Sequence, residues 1–342
     1  MGRSYDISLD AKYLDIKMMT MKTTALRTVL APVSWGTTYV TVTELLPAGR
    51  PLLVAAGRVA PAGLLLLAIG TLSARWRPHG AEWGRTALLA LCNFGLFFPL
   101  LIGAVYRLPG GVAAAAGGVQ PLLVTAFSWI LVRRPPRRHE VATGVVAAVG
   151  VALVVVRPGA GLDPVGVLLA LGANVSFATG VVLTKRFPAR GSRIAATGWQ
   201  LAMAGAVLLP LAVLLEGPPP QLTGANLGGF GYLGIVATGV AYLLWFDGIR
   251  KLPAAAPPLL GLAAPVTGAA LGWLVLGQTL SGVQLLGFAV TLAAIGRGAT
   301  LPEVERRVRS GPWPAPAAST RSARPTGGVA GSAMSPSTLT CR

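Results

Sequence analysis

Residues 119–132, VQPLLVTAFSWILV, share their pattern with residues 263–276, AAPVTGAALGWLVL, which lie 144 positions later. Pro121 maps onto Pro265, and Trp129 maps onto Trp273. In a water-soluble helix an interior proline removes a hydrogen bond and costs about 3 kcal/mol. Two such prolines at equivalent places indicate a chain built from two copies of one unit, in surroundings that tolerate interrupted helices.

The composition indicates that those surroundings are a membrane. Of the 342 residues, 53% are hydrophobic and only 12% are charged, with a mean hydropathy of +0.65. Water-soluble domains carry about 25% charged residues, so most of this surface is expected to face lipid. A helix needs about 20 apolar residues to cross the hydrocarbon core. Ten stretches meet or approach that length and are called segments 1 to 10: residues 25–46, 51–73, 84–105, 110–132, 141–157, 164–184, 194–215, 228–248, 254–277 and 281–297.

The net charge of +18 is unevenly divided between the loops. The loops that follow segments 1, 3 and 5 hold only Arg50, Arg107 and Arg157, whereas the loops that follow segments 2, 4, 6 and 8 hold thirteen basic residues. The thirteen are Arg75, Arg77, Arg85, Arg133, Arg134, Arg137, Arg138, Lys185, Arg186, Arg190, Arg193, Arg250 and Lys251. This asymmetry follows the positive-inside rule and predicts a multi-pass protein of the cell membrane with both termini cytoplasmic. The basic residues are predicted to contact anionic membrane lipids and no nucleic acid.

The chain has few residues suited to catalysis or metal binding. Cys92 lies within segment 3 and Cys341 is next to last, so no disulfide framework or metal cluster is predicted. His79 and His139 fall in loops. The GxSxG, HExxH and P-loop patterns of intramembrane hydrolases and ATP-driven pumps do not occur. We therefore predict no catalytic residues, no metal and no cofactor, and a process that is driven by gradients.

The two ends of the chain are predicted to be cytoplasmic tails. Residues 1–22 lack an apolar run with a small-residue cleavage site, so no signal peptide is predicted in them. A start at Met21 would lead directly into segment 1, and residues 1–20 are therefore expected to be dispensable. Residues 298–342, which from about 302 are rich in Pro, Ala, Ser, Gly and Arg, are predicted to be disordered.

Repetition extends well beyond the opening stretch. Further matches keep nearly the same offset: Leu108-Pro109 with Leu252-Pro253, Arg58 with Gln200, Gly63 with Gly205, and Trp35 with Phe177. Residues 23–157 and 164–297 are therefore predicted to be two five-helix repeats. Because five is an odd number, the second repeat enters the membrane from the other side and is inverted. Inverted repeats are typical of alternating-access transporters, whose substrate site lies near the midplane.

The repeated proline and tryptophan have predicted roles in this frame. A membrane helix tolerates a proline where its neighbours satisfy the freed carbonyl group. Pro121 and Pro265 are therefore predicted to be helix-bend residues that flank a central cavity. Trp129 and Trp273 are predicted to be anchors at the membrane interface, where an amphipathic indole ring is favoured.

Arg58 is the one cation that the sequence places well inside a segment and not at its end. A charge at the centre of a membrane helix costs about 2.5–3.5 kcal/mol on insertion scales. Several roles are open for it. Arg58 could bind a substrate carboxylate, pair with Glu44 or with helix-end carbonyls, or extend outward to the membrane surface.

Uncharged polar and aromatic residues supply the rest of the predicted substrate site. Trp35 and Tyr39 are four residues apart and share a helix face, as do Asn93 and Phe97. The predicted substrate-binding residues are Trp35, Tyr39, Arg58, Asn93, Phe97, Phe98, Gln120, Asn174, Gln200 and Tyr242. Each amide could instead bridge two helices. Together these residues suit a zwitterionic, aromatic or weakly charged solute rather than a metal ion.

Asp247 is the only acid considered for proton coupling. It precedes Arg250 by three residues and Lys251 by four, a spacing that favours a surface ion pair on one helix face. The sequence therefore gives little support to a proton relay and leaves facilitated exit of the solute open.

The segment SWGTTYV at 34–40, with Pro47 and AAGRVAPAG at 55–63, resembles the signature of EamA-type transporters of the drug/metabolite transporter (DMT) superfamily. The Leu-Pro before the fourth helix of each repeat, and the proline within that helix, are similar to the same family. The resemblance covers about residues 23–297. It implies a carrier that exports amino acids or other small metabolites. Family repeats commonly carry a glutamate after the fourth helix, where this sequence has Arg134 and Gln278.

The sequence thus predicts an all-α integral membrane protein with ten transmembrane helices in two inverted five-helix repeats. Its predicted function is that of a secondary transporter, exporting amino acids or similar small-molecule substrates by alternating access. A translocator of lipid-linked envelope precursors and a non-transporting membrane scaffold remain as alternatives. The spacing of Gly268 and Gly272 matches a motif of close helix pairing and leaves a homodimer open.

Overall fold

The computed structural model describes residues 3–74, 76–108, 116–155, 163–189, 191–276 and 281–309, and this part of the chain contains helices and no strand. The first repeat contains the helices Arg3–Gly36, Thr38–Leu45, Pro51–Ala74, Glu82–Ala90, Phe97–Val105, Gln120–Val132 and Arg138–Val155. The second contains Pro164–Arg186, Arg193–Glu216, Gly224–Gly231, Ala241–Lys251, Ala256–Gly261, Ala263–Leu276 and Gly282–Arg309. Each of the ten segments overlaps at least one helix.

The ends of two helices differ from the predicted boundaries. The first helix begins at Arg3, well before segment 1, and the last continues to Arg309. Residues 298–309 are thus helical, although they were assigned to the disordered tail. Residues 310–342 of that tail lie outside the described residues.

Within the described residues, five helical stretches are long and apolar enough to cross a membrane. They are Pro51–Gly70, Glu82–Val105, Pro164–Arg186, Arg193–Glu216 and Gly224–Lys251, and they correspond to segments 2, 3, 6, 7 and 8. Segments 4 and 10 supply shorter apolar helices. The structure therefore places membrane-spanning helices in both repeats.

The loops that follow segments 1, 3, 5 and 7 meet at one end of the bundle. This end lies opposite the arginine-rich loops and is here called the opposite end. Arg50 Nη1 donates to the Pro218 carbonyl at 2.6 Å, and the Tyr106 hydroxyl donates to the Pro47 carbonyl at 2.9 Å. Arg107 Nη1 lies 3.0 Å from Asp163 Oδ2, and this hydrogen bond holds the pKa of the Asp163 carboxyl below its usual range. These contacts join the loops that follow segments 1, 3, 5 and 7.

The loops rich in arginine meet at the other end, here called the basic end. The Lys185 ammonium donates to the Leu252 carbonyl, and Arg193 and Arg250 both pair with Asp247. Segment 1 therefore ends, and segment 6 begins, at the opposite end. Corresponding segments of the two repeats run in opposite directions, as the odd number of helices per repeat predicts.

Segments 2 and 7 form the closest contact between the repeats. A Cβ atom on Gly63 would lie 2.5 Å from the Ala202 nitrogen, and one on Gly205 would lie 2.8 Å from the Ala60 Cα. An offset of 142 residues maps Ala60 onto Ala202 and Gly63 onto Gly205. The two contacts are therefore equivalent, and a pseudo-two-fold axis passes between these helices.

Segments 3 and 8 each contain a π-helical stretch that the sequence did not predict. These stretches are Leu91–Gly95 and Tyr232–Val240. Adding 144 to residues 91–95 gives 235–239, so the two stretches occupy equivalent places. A π-helix pairs residues five apart, which leaves carbonyl groups for other partners, and it is frequently found at functional sites.

Segments 4 and 9 are interrupted close to their repeated prolines. A 3₁₀ turn at Ala116–Val119 precedes the helix that begins at Gln120, and Ala256–Gly261 ends before a new helix begins at Ala263. Pro121 and Pro265 thus lie in the first turn of a helix, not in its interior. This position is favourable because the first N–H groups of a helix have no intrahelical partner.

Candidate functional site

A cavity of about 100 Å³ lies between the two repeats, and seven segments contribute to its wall. Eight of the predicted substrate-binding residues line this central cavity: Trp35, Tyr39, Arg58, Phe97, Phe98, Gln120, Asn174 and Tyr242. Pro265 lines it as well. Trp35 and Tyr39 both line this cavity, although a turn at Thr37 places them on two different helices.

Arg58 is enclosed in the protein, with 1% of its surface exposed. Its Nε donates to Thr238 Oγ1 at 3.0 Å, and its Nη2 donates to the Ala237 carbonyl at 3.2 Å. The guanidinium carbon lies 4.0 Å from the ring centre of Phe98, in a cation–π contact. Burial excludes the outward-extended position, and Glu44 is exposed at the end of its own helix. The structure therefore leaves carbonyl pairing and substrate binding as roles for this residue.

The π-helical stretch in segment 8 supplies the carbonyl that Arg58 uses. The Ala241 N–H donates to the carbonyls of Val236 and Thr238, and not to the Ala237 carbonyl that an α-helix would use. The Ala237 carbonyl accepts instead from Trp35 Nε1 at 2.9 Å and from Arg58. The unusual helical geometry thus positions two side chains of the cavity wall.

Several polar atoms in the cavity wall have no hydrogen-bond partner among the described residues. They are Thr38 Oγ1, Arg58 Nη1, Tyr242 OH and Trp245 Nε1. Buried polar groups in folded proteins are nearly always paired with protein, water or ligand. These four atoms, here called the open polar group, therefore mark the cavity as a place for a bound solute.

Asn93 and Gln200 do not line the central cavity. Asn93 Nδ2 lies within hydrogen-bond reach of Gln200 Oε1 at 3.4 Å and of Thr184 Oγ1 at 3.3 Å. Phe97 lines the central cavity and Asn93, one helical turn earlier, does not, although both side chains contact segment 6, at Phe177 and Gly180. Asn93 and Gln200, which the sequence predicts to bind substrate, therefore lie outside the wall of this cavity.

The two polar clusters are related by the repeat. Arg58 and Gln200 are equivalent at an offset of 142, and Asn93 and Ala237 are equivalent at an offset of 144. Arg58 bonds to Ala237, and Gln200 bonds to Asn93. Each repeat thus sends one polar side chain from its second segment to the π-helical stretch of the other repeat.

Gln200 faces a second cavity, of about 390 Å³, which opens at the basic end and is here called the vestibule. Four arginines line it: Arg85, Arg186, Arg193 and Arg250. Phe246 also lines the vestibule, and its ring centre lies 5.5 Å from that of Tyr242 in the central cavity. Phe94 packs on Tyr242 at 4.6 Å. An aromatic layer therefore separates the two cavities.

Sequence reasoning missed three polar or aromatic residues of the central cavity: Thr38, Phe177 and Trp245. Thr38 lies within the SWGTTYV stretch, and Phe177 is the repeat equivalent of Trp35, so both carried a signal. Trp245 is three residues after Tyr242, on the same helix face. The ring centres of Trp35 and Phe177 are 5.7 Å apart, which brings the repeat equivalents into direct contact.

Other predicted residues lie outside the central cavity. Asp247 binds Lys251 at 2.8 Å and also pairs with Arg193 and Arg250, as expected for an ion pair at the membrane surface. Trp129 is 58% exposed near the end of its helix, and the side chain of Trp273 lies outside the described residues. A Cβ atom on Gly268 would lie 3.4 Å from the Gly36 carbonyl oxygen of the same chain, while a homodimer stays an expectation.

Two inverted helical repeats around a central polar and aromatic cavity form the architecture of secondary membrane transporters. Comparison with known proteins identifies the family. The chain belongs to the EamA-like transporter family, whose model matches residues 22–156 and 164–296, one copy for each repeat. The prediction of this family from the sequence is confirmed, and the chain is a membrane transporter rather than an enzyme.

Individual relatives agree with this assignment. The chain is 40% identical over 267 residues to Protein PecM of Dickeya dadantii (strain 3937), covering 78% of this chain and 88% of that protein. It is 32% identical over 270 residues to the Uncharacterized transporter YwfM of Bacillus subtilis (strain 168), covering 78% and 90%. A solved crystal structure with 24% identity covers 84% of this chain and 99% of its own chain, with a TM-score of 0.66, which shows a shared fold.

Proposed function

We propose that the protein exports amino acids or similar small metabolites across the cell membrane by alternating access. The observation that carries this proposal is the central cavity, which lies between inverted repeats and joins eight polar and aromatic residues predicted to bind substrate. A small solute held there could be released to either end by a change in how the repeats pack.

Ten transmembrane helices and cytoplasmic termini form part of the proposal. The loops that follow segments 1, 3, 5 and 7 meet at the opposite end, and the basic loops meet at the other. This alternation is what ten crossings produce. The positive-inside rule then assigns the basic end to the cytoplasm.

Alternating access is supported by the unequal cavities. Ligand pockets commonly have volumes of about 300–1,000 Å³, which the vestibule reaches and the central cavity, at about 100 Å³, does not. The aromatic layer of Phe94, Tyr242 and Phe246 separates the two. Passage of a solute therefore requires this layer to move and the central cavity to widen.

Export is supported by the position of the vestibule. It opens at the end that the loop charges assign to the cytoplasm, so a solute made inside the cell would reach it directly. Gln200 at its inner end is hydrogen-bonded to Asn93, which places a polar contact before the aromatic layer.

Efflux from whole cells tests the proposal. Cells that produce the protein are loaded with a mixed pool of labelled amino acids and metabolites, and the loss of each compound is followed. We expect selective loss of one class of solute in cells with the wild-type protein, and at least a tenfold slower loss with Arg58→Ala. Leu64→Ala is the matched control, because Leu64 lies in the same helix and is 67% exposed. Efflux that does not differ between wild type, Arg58→Ala and an empty vector, at equal membrane abundance, would refute the proposal.

A further inference from the structure

We infer that the solute is an organic monoanion whose carboxylate-like group binds the open polar group at Arg58, and that the membrane potential drives its exit. This inference rests on the proposed export function and names the chemical class of its substrate. It follows from the hydrogen-bonding character, the charge and the shape of the central cavity.

The open polar group selects for a ligand that accepts hydrogen bonds. Arg58 Nη1 and Trp245 Nε1 are donors only, and the hydroxyls of Thr38 and Tyr242 can also donate. Thr38, Arg58, Tyr242 and Trp245 are at most 4% exposed. Leaving so many buried donors unpaired is unfavourable. A carboxylate offers about four acceptor sites on two oxygens, which matches the number of open donors.

The charge of the cavity is positive, because Arg58 has no acidic partner among the described lining residues. Arg58 contacts a hydroxyl, a carbonyl and an aromatic ring, all of them neutral. Among the described residues that line the cavity, none is acidic. An anion beside a buried cation lowers the free-energy cost of burying that charge. An anionic solute would supply that charge.

The same cavity offers no carboxylate to an ammonium group among its described lining residues. The side-chain carbonyls in its wall are those of Gln120 and Asn174, and Asn174 Oδ1 already accepts from Gln120 Nε2 at 3.0 Å. The Asp247 carboxylate lies at the basic end, where it is paired with three basic residues. A zwitterionic amino acid would therefore bury its ammonium without a carboxylate partner, which disfavours it relative to the matching monoanion.

The aromatic wall suits a flat, unsaturated body. Phe97 and Phe177 are stacked with ring centres 4.7 Å apart, and Phe177 is stacked on Trp245 at 6.0 Å. Aromatic side chains in a cavity wall favour offset-stacked or edge-to-face contact with a further ring. The solute would therefore carry its anionic group at one end and a planar apolar group at the other.

The vestibule is suited to collect such a solute. Its four arginines outnumber the acids beside them, which are Glu82 in the described lining and Asp247, the partner of Arg193 and Arg250. A cleft lined by one sign of charge raises the local concentration of ions of the other sign. Once past the aromatic layer, an anion leaving a cell with a negative interior moves down the electrical gradient. Such exit needs no acid in the pathway to carry a coupled proton.

The test compares three compounds with the same aromatic ring: 3-phenylpropionate as the monoanion, phenylalanine as the zwitterion and phenethylamine as the cation. The full chain is reconstituted in vesicles of phosphatidylethanolamine and phosphatidylglycerol, and a potassium gradient with valinomycin sets the potential. Flux in protein-free vesicles is subtracted. We expect protein-dependent flux of phenylpropionate at least tenfold faster than that of phenylalanine, with a direction that reverses when the potential is reversed.

Variants locate the flux at the open polar group. Arg58→Gln is expected to lower phenylpropionate flux at least tenfold, and Trp245→Phe, which keeps a ring and removes the donor, about three- to tenfold. Arg58→Lys keeps the charge and should retain more flux than Arg58→Gln, and Leu64→Ala should match wild type. Elution as a single species in detergent confirms that each variant is folded.

The outcomes separate this inference from the proposed function. Phenylalanine flux equal to or faster than phenylpropionate flux, or phenylpropionate flux that ignores the potential, would overturn the monoanion inference and leave export standing. Flux of none of the three compounds would also overturn it, and the whole-cell assay would then decide the export function by itself.

Discussion

Arg58 belongs to segment 2, but its side chain is hydrogen-bonded to segment 8. Its side chain donates hydrogen bonds to the Thr238 hydroxyl and to the Ala237 carbonyl, and neither partner carries a charge. Because the two segments belong to different repeats, the position of the guanidinium depends on how the repeats are packed. A change in that packing would alter the affinity of the cavity for a solute.

The Thr238→Val substitution tests this arrangement. It removes the hydroxyl that accepts from Arg58 Nε and keeps the shape of the side chain. A hydrogen bond to a charged group contributes about 1.5–3 kcal/mol, so we expect a loss of stability of that order in thermal unfolding in detergent. Thr179→Val is the control, since the Thr179 hydroxyl bonds to Val175 within its own helix. Equal losses in the two variants would contradict a specific role for Thr238.

The sequence was informative about single residues that stand out within apolar segments. It placed Trp35, Tyr39 and Tyr242 near one cavity, because aromatic residues in the interior of apolar segments stand out. It did not separate Asn93 and Gln200 from that cavity, since their hydrogen bond joins two segments that are distant in the chain. The π-helical stretch of segment 3 was not predicted either, because no pattern of residue types marks such a stretch.

At the scale of helices, the pair formed by segments 2 and 7 depends on glycine. Gly63 and Gly205 each face the backbone of the other repeat, at distances that leave no room for a Cβ atom. Small residues at such places let membrane helices approach closely and gain van der Waals contact. This pair therefore connects the two repeats along the pseudo-two-fold axis.

We expect Gly63→Ala and Gly205→Ala to destabilise the protein to similar extents. Overpacking of a close contact costs about 1–3 kcal/mol, and the two positions are equivalent by the repeat. Gly228→Ala is the control, because a Cβ there would meet nothing within 4 Å. In a helix that change is expected to be neutral or stabilising by about 0.5–1 kcal/mol. Thermal unfolding in detergent that shows no difference between Gly63→Ala and Gly228→Ala would contradict the close contact.

At the scale of the whole molecule, the two ends of the bundle differ in charge and in connections. The opposite end is joined by the contacts of Arg50, Tyr106 and Arg107, and the basic end surrounds the vestibule. Loop charge and the odd number of helices per repeat predicted this division from sequence. The vestibule and the aromatic layer were not predicted, because they arise from side chains of segments that are distant in the chain.

Labelling of introduced cysteines tests the proposed topology. In a background in which Cys92 and Cys341 are replaced, Ala48→Cys lies at the opposite end and Ala81→Cys at the basic end, and both positions are exposed. A membrane-impermeant thiol reagent added to intact cells should label the first variant and not the second. After the membrane is opened, both should react. Labelling of Ala81→Cys in intact cells would reverse the assignment of the two ends.

Arg58 and Gln200 occupy equivalent places on the two sides of the pseudo-two-fold axis, and their difference affects the free-energy profile of a passing solute. Full symmetry would make the profile read the same from either face of the membrane. A guanidinium lies at this place in one repeat and an amide in the other. A solute therefore binds with different free energies in the central cavity and in the vestibule, and it spends unequal times on the two sides of the aromatic layer. That imbalance shapes the rates of loading and release, while the gradients across the membrane still determine the direction of net movement.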